Sequence, residues 1–297
     1  MPLPLAPSRR FGVAANRLHR GHDDCGLRRW AQSSGATVRT LGLRLHAVGG
    51  AHATLARTPE FADYTGLVPY PPGVQGGLMR LVSQVAGGAY PGESLDGIVY
   101  LVDPADPSSL YPEALALKRQ CVTHEKPFVS TIAGAIEWMA VESALAGRID
   151  AQVHAQLDVS TRQLALIAHD ALKDHMVGFA AEHFDLLSQA RSRVATGTTG
   201  QRLNEMAWAR GWPAGEPWVT RFMSGPLGGD AQIAELVLDG RCDKVLFFED
   251  PHVARQHEAD IQLLERAVCS VSHQATCANS PAMARRWAEA VARAARG

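Results

Sequence analysis

In the second half of the chain, runs of strand length alternate with longer stretches of mixed polarity. Leu164 to Ala168, Arg193 to Ala195, Val219 to Met223 and Val245 to Phe248 are the strand-length runs. The residues at 174–189, 201–210, 231–239, 260–270 and 281–295 repeat apolar positions with helical spacing. Alternation of this kind predicts a parallel sheet covered by helices on both faces, because crossover helices must bury the strands from both sides.

The first half carries the same pattern. Leu95-Asp96-Gly97-Ile98-Val99-Tyr100-Leu101-Val102-Asp103-Pro104 recurs in kind as Cys242-Asp243-Lys244-Val245-Leu246-Phe247-Phe248-Glu249-Asp250-Pro251. Gly76-Gly77 falls where Gly228-Gly229 falls, and Val48-Gly49-Gly50 where Thr196-Gly197-Thr198 falls. Phe128–Thr131 is matched with His273–Thr276, and Val13–Asn16 with Ile167–Asp170. A repeat of one domain length implies duplication. The expected architecture is α/β, with two tandem domains at 1–155 and 156–297 joined through the polar stretch 149–161.

Composition narrows the function classes. Hydrophobic residues make up 46% and charged residues 20% of 297, with a formal net charge of −1. That balance asks for neither nucleic acid nor an acidic membrane surface. The longest apolar runs are too short to span a bilayer, and Met1 to Arg10 lacks the apolar core of a signal peptide. Five cysteines without a CxxC pair read as reduced thiols. A cytoplasmic location is the expectation.

Each unusual polar cluster of the second half directly follows a predicted strand. The clusters are His169-Asp170, Thr196 to Gly200, Ser224 to Asp230, and Asp250 with His257 and Asp260. Ligands bind outside the carboxyl ends of the strands in open parallel sheets, so all four converge on one rim. Thr196-Gly197-Thr198-Thr199-Gly200 joins strand to helix and can cradle an anion on backbone amides and hydroxyls. A Thr/Gly turn also serves as an ordinary helix cap. Lys173 can add a cation, although a lysine there is usually just solvated. Simple capping by Asp230 would not require the glycines before it, and an isolated histidine such as His257 is usually surface decoration. The histidines and carboxylates lack a metal-ligand spacing, so no metal site is expected.

Taken in order over Leu164 to Ala290, these blocks resemble the methylglyoxal synthase family. The resemblance implies conversion of dihydroxyacetone phosphate to methylglyoxal and inorganic phosphate by a carbon–oxygen lyase, without metal or cofactor. By position, Asp230 would abstract a proton from the hydroxymethyl carbon, and His169 and His257 would steady the enediolate. Lys173, Thr196, Gly197, Thr198, Thr199, Ser224 and Gly225 would hold the phosphate and carbon skeleton. Asp170, Asp250 and Asp260 would be supporting or proton-shuttling carboxylates. The family also implies a homo-oligomer in which a neighbour's arginine reaches the phosphate, with Arg266 the candidate.

The first half is expected to be a degenerate, non-catalytic copy that replaces a subunit of such an oligomer or shields an edge, with ligand sensing as the rival role. Leu78 stands for Asp230, Ala15 for His169 and Leu110 for His257, while Asp103 and Glu113 keep carboxylates at the places of Asp250 and Asp260. Two rival readings share the same residues. A regulatory module would bind a phosphorylated metabolite without turnover, and an isomerase would reprotonate the enediolate.

Overall fold

The computed structural model describes residues 9–252 and 258–296, the side chains of 258–261 excepted. The chain divides into two compact units, one up to Met139 and one from Ala140.

The first unit is built on β1 (Arg10–Ala15), β2 (Arg44–Val48), β3 (Leu67–Tyr70), β4 (Gly97–Leu101) and β5 (Phe128–Val129), in sheet order β3-β2-β1-β4-β5. The second is built on β6 (Gln163–Ala168), β7 (Ser192–Ala195), β8 (Thr220–Arg221), β9 (Lys244–Phe248) and β10 (Thr276–Ala278), in order β10-β9-β6-β7-β8. Every pairing is parallel. Numbered within its own unit, each sheet reads 3-2-1-4-5, so the two share one topology.

In the second unit β9 is buried throughout, as is β6 after its first residue. Ala165 and Ile167 pack with Ile233, Val237, Leu264 and Val268 on one face. On the other side, the rings of Phe248 and Phe179 lie 5.6 Å apart. Burial on both sides explains why these strands are continuously apolar rather than alternating.

Several expected boundaries shift. The stretch 149–161 is not a plain polar connection: it holds a helix, Ala151–Leu157. Asp150 caps it, its carboxylate accepting from the Val153 N–H at 2.8 Å, and Val153 and Leu157 are buried. The helix expected over 174–189 is two, Lys173–Glu182 and Phe184–Ser188, because His183 leaves helical geometry at φ −109° and ψ 28°. Packing accounts for the break, since the Phe184 ring stacks at 5.3 Å on buried Trp218. The strand expected over Val219–Met223 keeps only its two central pairings as β8, at the sheet edge.

The repeat also changes register in its last strand. Phe128 pairs with Ile98, and Cys277 with Val245, so Phe128 corresponds to Cys277 rather than His273. Thr131 then corresponds to Ser280. Both cap a helix in the same way, the Thr131 hydroxyl accepting from Gly134 N at 2.9 Å and Ser280 from Met283 N at 3.2 Å.

Among the described residues no helix is long and apolar enough to cross a membrane, and no group of three or more His, Cys, Asp or Glu is placed to hold a metal ion.

Candidate active site

Strand order reverses between β6 and β9, and at such a switch point the connections leave to opposite sides and open a crevice at the carboxyl edge. A cleft of about 60 Å³ lies there. Its lining includes His169, Asp170, Lys173, Thr196, Thr198, Thr199, Ser224, Gly225 and Asp230. Most of the polar residues singled out from sequence therefore share one concavity.

His169 is the first residue beyond β6. Its backbone N–H donates to the Phe248 carbonyl at 3.0 Å, extending the parallel ladder by one bond. Its Nδ1 accepts from the Asp250 N–H at 2.8 Å. Accepting at Nδ1 places the proton of the neutral ring on Nε2, which makes the imidazole a donor there. Phe247 meets the ring edge-on, centroids 5.0 Å apart, and fixes its plane. Sequence reading gives Phe247 no role of its own in the site. Its signal is its register, opposite Ile167 and two residues before the start of the Asp250 loop.

Asp230 lies in the first turn of the helix Gly229–Leu238 and is buried. Three glycines put it there. Gly228 has φ +94°, a left-handed turn that a side chain would strain. A Cβ on Gly229 would meet the Met223 carbonyl oxygen at 1.9 Å, and one on Gly225 would meet Asp230 Oδ2 at 2.7 Å. The turn is thus packed backbone on backbone, with the carboxylate resting on a glycine.

Opposite, the helix Gly197–Ala209 starts at Thr196, whose side chain makes no capping bond. Gly197 N–H is taken by the Met223 carbonyl and Gly200 N–H by Thr196, both backbone bonds under 3.0 Å. The amides of Thr198 and Thr199 lie between them at the positive end of the helix. The Thr199 hydroxyl is buried without a hydrogen-bond partner among the described residues. A buried hydroxyl beside helix-end amides suits an oxyanion. Lys173 adds the cation, its Nζ 2.7 Å from exposed Asp170.

The remaining predicted residues separate into groups. Asp250 acts through its backbone on His169, and its carboxylate accepts from His252 N at 3.0 Å. Arg266 is exposed on the helix Glu258–Ser270 and does not line the cleft. Asp260 lies on that helix, and His257 lies outside the described residues.

The first unit repeats this frame with other side chains. Its left-handed Gly76, at φ +82°, precedes Gly77, whose Cβ would strike the Pro71 carbonyl at 2.0 Å. Leu78 follows where Asp230 stands. The counterpart of His169 is Asn16, not Ala15. Asn16 N–H bonds to the Leu101 carbonyl at 3.0 Å as His169 does to Phe248, and the Asn16 amide oxygen accepts from Asp103 N at 2.9 Å as His169 Nδ1 does from Asp250. Consecutive alanines hide this one-residue shift in the sequence. The same offset sets Arg20 at the place of Lys173.

An open parallel sheet with a helix-end anion cradle and a buried carboxylate at its switch point defines an α/β domain suited to a small phosphorylated or otherwise anionic metabolite. Comparison with known proteins gives the family. Methylglyoxal synthase of Thermus thermophilus is 48% identical over 110 residues, 37% of this chain and 79% of the relative. That of Burkholderia cenocepacia is 45% identical over 135 residues, 46% of this chain and 95% of the relative. A crystal structure of methylglyoxal synthase from Elizabethkingia anophelis aligns at 34% identity with TM-score 0.35, covering 42% of this chain and 76% of that one. No protein-family model matches. With most of each relative covered, the chain belongs to the methylglyoxal synthase family. The matches take in less than half of its residues.

Proposed function

We propose that the second unit is a carbon–oxygen lyase that converts dihydroxyacetone phosphate to methylglyoxal and inorganic phosphate. The observation that carries this reading is Asp230, a buried carboxylate sharing one cleft with a lysine, a histidine donor and an anion cradle. Phosphate would sit on the Thr198 and Thr199 amides with Lys173 alongside, which directs the substrate's hydroxymethyl carbon toward Asp230. The Asp230 carboxylate takes a proton from that carbon. The C–H electron pair forms the enediolate, whose oxygen receives a hydrogen bond from His169 Nε2–H. The enediolate then expels phosphate as the C–O bond breaks, its remaining hydroxyl proton leaving with the phosphate, and the enolate left behind takes up a proton at its methylene carbon to become methylglyoxal while Asp230 releases the one it took. No step calls on a metal or cofactor.

His257 would add a second donor and Asp260 a supporting carboxylate, as the family resemblance implies. Exposed Arg266, outside its own cleft, fits a role at a neighbouring copy's phosphate in a homo-oligomer. The first unit, with Leu78 at the base position, would not react.

Incubation with dihydroxyacetone phosphate should release methylglyoxal and phosphate in equal amounts, and Asp230→Asn should abolish both. Substrate-dependent thermal stabilisation without phosphate release would favour a non-reacting binding module instead. Appearance of the aldose phosphate would favour an isomerase.

A further inference from the structure

The first unit has lost the base but not the crevice. At its own switch point between β1 and β4 lies a cavity of about 500 Å³. The residues around it stand at the positions that line the second unit's cleft: Asn16 for His169, Arg20 for Lys173, Tyr100 for Phe247 and Leu78 for Asp230. The cradle has been stripped. Val48, Gly50, Ala51 and Pro72 replace Thr196, Thr198, Thr199 and Ser224, so four hydroxyl donors are gone. A phosphate seated on this helix start would lack the hydroxyl donors that the second unit's cradle supplies.

Two charged side chains remain in the lining, Arg20 and Glu113. Among the described residues neither makes an ion pair or a side-chain hydrogen bond. Both line the same cavity as buried Tyr100, whose hydroxyl they act on electrostatically together with Asp106. Arg20 is seated against Gly50, where a Cβ would lie 2.0 Å from its Nη1. The helix start that offers Thr198 to the second cleft here offers only backbone, and the guanidinium occupies that space.

We infer that this cavity binds a small zwitterion of the α-amino-acid type with an apolar side chain. The Arg20 fork takes the carboxylate, Glu113 takes the ammonium, and Val48, Val74 and Leu78 cover the side chain. A ligand with negative charge alone would leave the Glu113 carboxylate facing it. One with positive charge alone would face Arg20. This inference does not rest on the lyase reading, since the pocket lies wholly in the first unit and contains no base.

Calorimetric titration of the full chain tests it with matched probes: L-leucine and L-phenylalanine, their des-amino acids 4-methylpentanoate and 3-phenylpropionate, and the corresponding decarboxylated amines. The amino acids should bind at least about tenfold more tightly than either truncated set, the effect of losing one charge-assisted contact. Arg20→Ala should weaken amino acid and des-amino acid alike. Glu113→Gln should weaken the amino acid by about tenfold and leave the des-amino acid unchanged or tighter. Thermal unfolding midpoints of both variants should stay close to the parent's, because neither side chain makes an ion pair or side-chain hydrogen bond among the described residues. Absence of amino-acid binding, equal binding of the des-amino acids, or parental affinity in both variants would overturn the inference. Dihydroxyacetone phosphate turnover, read on the same samples, reports separately on the second unit.

Discussion

The Asp250 backbone N–H donates to His169 Nδ1 at 2.8 Å, and in the first unit Asn16 holds the Asp103 N–H in the same way at 2.9 Å. An asparagine oxygen can therefore do the structural work of this imidazole but has no donor at the far side of a ring. His169→Asn should fold with an unchanged melting temperature and lose at least about a hundredfold in kcat, the usual weight of a positioned donor. If its turnover stays near the parent's, Nε2–H is not the enediolate donor.

Restoring the base alone should not revive the first unit. In an Asp230→Asn background, Asn16→His with Leu78→Asp rebuilds the two reacting positions, yet Val48, Gly50, Ala51 and Pro72 still leave the helix start without the cradle hydroxyls of the second unit. Phosphate release is expected to stay at the Asp230→Asn level. Measurable recovery would show that the cradle hydroxyls matter little.

Gly229, next to Asp230 in the chain, and Gly225, against its carboxylate, should separate stability from chemistry. Gly229→Ala drives a Cβ into the Met223 carbonyl, and forcing the backbone apart should cost about 1–3 kcal/mol in chemical denaturation. Gly225→Ala meets the carboxylate oxygen of Asp230 instead. It should lower kcat by displacing the base while leaving the denaturation midpoint nearly intact.

His46, in β2, is buried and receives a 3.2 Å hydrogen bond from Arg10 Nε. Burial foremost, then the charges of Arg10 and Arg44, lower its pKa from 6.5 to about 4. The unfolded chain thus takes up a proton that the folded one refuses. The resulting stability is present in full above pH 6.5 and is lost as pH falls toward about 4. Melting temperature against pH should show this acid limb, and His46→Gln should flatten it.

Arg286 forms a two-pronged pair with buried Glu142, at 3.2 and 2.8 Å. Arg286→Ala removes charged donors from a carboxylate that is 3% exposed and should destabilise the protein by ~2 kcal/mol. Arg286→Lys, which cannot fork, should recover only part of that loss in the same unfolding experiment.

Much of the fold and site was legible because the constraints are local. Gly76-Gly77 and Gly228-Gly229 mark turns that admit no side chain, so both turns, and the Leu78 and Asp230 that follow them, align directly from sequence. Thr196–Thr199 was readable for the same reason, being tied to a strand end and a helix start. Register at His169 was not legible. Its strand ends in alanines in both copies, and only the hydrogen bond to Phe248 across the sheet decides where the ladder stops. The last strand failed similarly, since β5 and β10 have two and three residues and are defined by their partners rather than by apolar period. The break at His183 reflects Phe184 stacking on Trp218, a contact between residues far apart in the chain.

Each sheet takes all five of its strands from one uninterrupted segment, the first ending at Val129 and the second starting at Gln163. Neither lends the other a strand. An inserted sequence at 146–150, between the helices Ile132–Leu145 and Ala151–Leu157, would interrupt neither ladder, so the two halves can be recombined at the level of the gene. Selection can then rewrite the specificity of one crevice while the other stays constant.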